Sequence, residues 1–141
     1  IENREKPEFM YHGSAALFDK PRPGLRSRPD NETVPRLFAS PNPAFAAAQG
    51  GFEWYSSDGI DVTTDENTGQ IIFVVPEGHA HKLENPMYMY KMVGDTFEHT
   101  ESEKTGHTWD TQEEVELAES PQKFETVREA VEYFGGRVEI V

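Results

Sequence analysis

Residues 70–76 read QIIFVVP, five consecutive apolar residues between a glutamine and a proline. A short run of that kind predicts a strand buried on both faces. Phe9 to His12, in FMYHGS, predicts a strand that ends in a turn at Gly13-Ser14, and LFAS (37–40) predicts a second short one. Met87-Tyr88-Met89-Tyr90 alternates as a strand does, as does EEVELA (113–118), which reads as a half-buried strand. RVEIV (137–141) reads as a last strand.

Two stretches carry a helical signature instead. In SPNPAFAAAQGG, Ser40 or Asn42 can cap, a proline occupies the first turn, alanines fill the middle and Gly50-Gly51 end the helix. In TVREAVEYF (126–134), Val127, Ala130, Val131 and Phe134 recur at helical spacing behind Thr126 as N-cap, and Gly135-Gly136 closes the helix. The intervening segments are polar. Residues 19–36 hold four prolines and a glycine and predict a loop. Residues 53–69 are turn-rich, with Asp58-Gly59 as a hairpin-type signal. Residues 77–86 predict a turn, residues 94–108 a connector, and residues 1–8 a loose end. Strands and helices do not repeat as βαβ units, so the expected class is α+β, in one domain over 1–141 with no internal repeat.

Composition narrows the chemistry. The chain has 141 residues and enough aromatic side chains, nine Phe, five Tyr and two Trp, to build a core. It contains no cysteine, which excludes disulfides, thiolate catalysis and cysteine-based zinc sites and fits a cytoplasmic home. No apolar run has the length of a membrane span, and the first residues lack the layout of a signal peptide. The formal net charge of −13 repels phosphate backbones and argues against nucleic acid as a partner. One basic stretch runs the other way: Lys20, Arg22, Arg26, Arg28 and Arg36 fall within one loop, where they read either as a solvated segment or as a local anion site.

Hydrolase, metalloprotease, P-loop and dinucleotide-fold signatures are missing from the sequence. His79-x-His81 is the best local pair for a metal, but no third ligand stands beside it, and no metal is expected. Phe45, Phe52, Trp54 and Tyr55 read as core aromatics that could also line a pocket.

The order of short motifs is more informative than any one of them. A strand ending in His12-Gly13-Ser14, a basic loop, LFAS leading into an alanine-rich helix, and then GQIIFVVPEG resemble the ADP-ribosyltransferase family, most closely the small bacterial rifampin ADP-ribosyltransferases. The likeness extends over roughly residues 9–141. It implies a compact split β-sheet domain with two or three helices and NAD bound in a cleft between two small sheets. It implies an enzyme that cleaves nicotinamide from NAD and transfers ADP-ribose to a protein or small-molecule acceptor. His12 would orient the ribose by donating to a hydroxyl. Gly13 would offer its backbone N–H and C=O to the carboxamide, Ser14 would bond the same ribose or fix the imidazole, and Phe38 would stack on the nicotinamide where relatives usually carry Tyr. Arg22, Arg26 or Arg28 would hold the pyrophosphate. A carboxylate must stabilise the cation that forms on the ribose. Glu84 in HKLENP is the first choice, with Glu113 or Glu114 in the run at the start of the expected late strand, and Asp110, as alternatives. The rival readings are a binding or effector protein on the same scaffold without turnover, and RNA 2′-phosphotransferase chemistry on a related fold.

Overall fold

The computed structural model describes residues 7–17, 20–21, 37–50, 56–99 and 109–141. Among them the strands are β1 (Phe9–Ser14), β2 (Leu37–Ala39), β3 (Asp61–Thr64), β4 (Ile71–Val75), β5 (Met87–Val93), β6 (Glu98–His99), β7 (Trp109–Thr111), β8 (Gln122–Phe124) and β9 (Arg137–Ile140). The helices are α1 (Pro43–Gly50) and α2 (Val127–Tyr133), with 3₁₀ turns at Ser56–Asp58 and Glu77–Glu84. The class is α+β.

The strands form three three-stranded sheets, ordered β1-β5-β8, β2-β7-β6 and β3-β4-β9. The first is the middle of the molecule. β1 and β5 run antiparallel, with Met10 opposite Met92, His12 opposite Tyr90, and Gly13 opposite Met89. Alternate residues face opposite sides of a sheet, and here both sides are buried. Met87, Met89 and the half-buried Tyr11 belong to a core shared with Phe73 and Val75 of β4, Ala46–Ala48 of α1, and Val127, Ala130 and Val131 of α2. Met10 and Met92 belong to a second core with Leu37, Ala39, Phe97, Trp109 and Val115, under the β2-β7-β6 sheet. β1 therefore lies between two cores, and His12 shares the face of Met10 and Tyr90.

Local chemistry explains the helices. Asn42 Oδ1 accepts from the backbone N–H groups of Ala44 (3.0 Å) and Phe45 (3.3 Å), so Asn42 caps α1. Ala44 to Ala48 are all buried, since α1 is packed on every side. Thr126 Oγ1 accepts from Glu129 N at 3.0 Å and caps α2, whose buried residues are the predicted Val127, Ala130 and Val131. β4 is the central strand of its sheet, between antiparallel β3 and parallel β9, as its apolar run requires.

Several expectations need correction. β1 does not end at His12 but continues through Gly13 and Ser14, because β5 runs beside it as far as Tyr88. The polar stretch 53–69 holds a strand, β3, exposed on alternate residues at the edge of a sheet. Residues 77–86 are mostly 3₁₀ turns anchored by buried Leu83. EEVELA is not a strand. Val115 is buried and Leu117 meets Met92 in a single bridge, so the alternation of side chains is real, but the backbone bonds to β5 only through Glu116 O and Ala118 N. β7 and β8 arise just before and just after it, in segments too short and polar to show a strand pattern.

Candidate functional site

The middle sheet and the β2-β7-β6 sheet meet at one point. Tyr11 N donates to Ser40 O (2.7 Å) and Ser40 N donates to Tyr11 O (3.0 Å). Continued by one step, that antiparallel ladder would pair Gly13 with Phe38. It does not continue. The Phe38 carbonyl is taken by His12 Nδ1 at 2.8 Å. The two sheets thus part at Gly13 and Phe38, and the imidazole fills the opening of the fork. Because backbone groups alternate in direction along a strand, the Gly13 N–H and C=O point to the same edge as those of Tyr11, into the fork rather than towards β5.

A carbonyl can only accept, so His12 Nδ1 carries a proton. In the neutral ring Nε2 is then an acceptor. Directly opposite His12, Tyr90 sets its ring beside the imidazole, with centroids 6.3 Å apart and planes tilted by 49°. Tyr90 is fully buried, and its hydroxyl donates to Ala16 O at 3.0 Å. Ser14 Oγ accepts from Ala16 N at 3.1 Å.

Gly13 has a structural reason for being glycine. A Cβ there would lie 2.6 Å from Ala46 O and 3.0 Å from Met87 Cε, so α1 can rest on β1 only if the side chain is absent. Gly50 is the counterpart: a Cβ there would lie 2.0 Å from Gly13 O. The helix end therefore covers the Gly13 carbonyl, and a ligand amide using both backbone groups would share that carbonyl with Gly50.

The candidate carboxylates fall in different places. Asp110 of β7 is directly opposite Phe38, with Glu98 of β6 opposite it on the other side. Opposed residues of an antiparallel pair share a face, so Phe38 and Asp110 lie side by side, and Asp110 is only 7% exposed. Glu84 is exposed at the last position of the 3₁₀ turns, before β5 enters at the end of the sheet where Ser14 faces Tyr88. Glu113 and Glu114 are exposed and follow β7 rather than opening a strand. Glu113 N donates to Thr111 Oγ1 at 3.1 Å, and Glu114 Oε2 lies 3.7 Å from Lys20 Nζ. Such an exposed pair is worth little to stability.

Arg22, Arg26, Arg28 and Arg36, with Phe52, Trp54 and Tyr55, lie outside the described residues. Phe45 is buried against Ala44 and Ile71. His79 and His81 lie within the 3₁₀ turns, and no cluster of three or more metal-ligating side chains is formed among the described residues. Tyr90 is the contact of the site that sequence reading assigned to the core alone. Its alternation with Met89 and Met87 was visible, but its position opposite His12 depends on a register that the sequence does not spell out.

The chain matches no family model, no curated protein and no solved structure.

Proposed function

We propose that this protein binds NAD at the β1–β2 fork and acts as an NAD-dependent mono-ADP-ribosyltransferase, passing ADP-ribose to a protein or small-molecule acceptor. The observation that carries the reading is the break in the ladder at Gly13 and Phe38, beside an imidazole fixed by a backbone carbonyl. A planar carboxamide has one acceptor and one donor side by side. A strand edge left out of its ladder offers the complementary pair, and here that edge belongs to Gly13.

In the reaction the bond between ribose C1 and the nicotinamide nitrogen breaks, and nicotinamide leaves with the electron pair. An acceptor nucleophile then bonds to C1 and gives up its proton. The ribose passes through an oxocarbenium-like state that a nearby carboxylate stabilises. His12 would orient the ribose, while the Phe38 ring would offer a flat apolar contact. Burial and a position opposite Phe38 favour Asp110 as the carboxylate over the exposed Glu84, the first choice from sequence.

Titration calorimetry with NAD tests the binding step. Saturable binding is expected, and His12→Ala should weaken it at least tenfold. No heat at millimolar NAD, with the parent protein folded, would remove the reading. Nicotinamide release then separates the carboxylates: Asp110→Asn should abolish it with binding retained, and Glu84→Gln should change it little. The second reading is binding on this scaffold without turnover. It predicts NAD binding with no nicotinamide release from the parent protein.

A further inference from the structure

We propose that Tyr90 is a positioning residue of this site, joining the His12 imidazole to the turn that follows β1; its consequence for NAD rests on the function proposed above. Tyr90 lies opposite His12 in the β1–β5 register, and its ring flanks the imidazole at 6.3 Å between centroids. The side chain is fully buried, and a buried phenol needs a hydrogen-bond partner. It finds one in the carbonyl of Ala16, 74 residues away in the chain, at 3.0 Å.

That turn lies at the surface. Ala15, Ala16 and Leu17 are all exposed, Leu17 at 62%. The Ser14 hydroxyl accepts from Ala16 N at 3.1 Å and closes the turn locally, but it does not tie the turn to the sheet. The Tyr90 hydroxyl does. One side chain thus sets the wall of the fork with its ring and the exit of β1, with Ser14 and Ala16, with its hydroxyl. Loss of the hydroxyl should leave the ring packing and the fold in place and release the turn.

Tyr90→Phe tests this. Backbone ¹⁵N relaxation should show the order parameter of Ala16 falling into the flexible range, below about 0.6, while that of Phe73 in the core stays near about 0.85. NAD affinity by calorimetry should fall about tenfold, the size of one lost hydrogen bond. An unchanged Ala16, or Ala16 and Phe73 loosening together, overturns the proposal. So does a released turn with unchanged NAD affinity. If the parent protein binds no NAD, the function proposed above falls, and the Ala16 order parameter alone decides whether Tyr90 anchors the turn.

Discussion

At the scale of single residues, two positions show how one side chain, or its absence, can serve two neighbours. Gly13 is set by what lies under it. The Ala46 carbonyl occupies the space of its missing Cβ, so Gly13→Ala must push α1 away from β1 or displace Met87. Overpacking of this kind costs about 1–3 kcal/mol, and chemical denaturation should show that loss without a change in the slope of the transition. His12 is set by the Phe38 carbonyl, which fixes its tautomer by accepting from Nδ1. His-Gly-Ser stood out as a candidate site through the order of motifs around it. That its glycine answers to helix packing was not legible, because the helix begins thirty residues further along the chain.

At the scale of elements, the hairpin joining β3 to β4 turns on Asp65. Its carboxylate accepts from Asn67 N at 2.8 Å and Thr68 N at 3.1 Å, and Gly69 completes the loop at φ 77°. Those backbone donors, Asn67 first and then Thr68, hold the Asp65 carboxyl below its usual value of 3.8, with Arg137 adding a smaller pull. A lowered folded-state pKa means that the ionised form is favoured by folding. The stabilisation is complete above the ordinary aspartate range and fades as pH falls below 3.8 towards the lowered value. Asp65→Asn should therefore melt below the parent protein near neutral pH, and the gap should narrow as the pH falls through that window, as followed by thermal unfolding. The two helices were legible because capping and periodicity are local: Asn42, Thr126 and the Val127-Ala130-Val131 stripe need no tertiary partner to be recognised. β3, β7 and β8 were not, since short polar strands acquire their form from the neighbour they pair with.

At the scale of the whole molecule, the surface carries the formal charge of −13. Like charges brought together on folding repel, and salt screens them over about 8–10 Å at near-physiological ionic strength. Unfolding temperature should rise on adding sodium chloride from low ionic strength. A flat or falling response by differential scanning calorimetry would place the acidic side chains too far apart, or too well paired, for repulsion to matter. Two cores on either side of one sheet bear the opposing load, and Phe73, with no exposed surface, is central to the larger. Phe73→Ala should cost about 3–5 kcal/mol.

The sequence by itself determined the α+β class, the burial of β4, the cap of the second helix and the residue types of a candidate site. Each of these rests on periodicity or on chemistry within a few residues. Tertiary structure alone decided that β1 and β2 part at Gly13 and Phe38, that Asp110 rather than Glu84 stands beside Phe38, and that Tyr90 faces His12. Those relations depend on strand register. Register is set by which faces two distant segments bury against each other, and no local pattern records it.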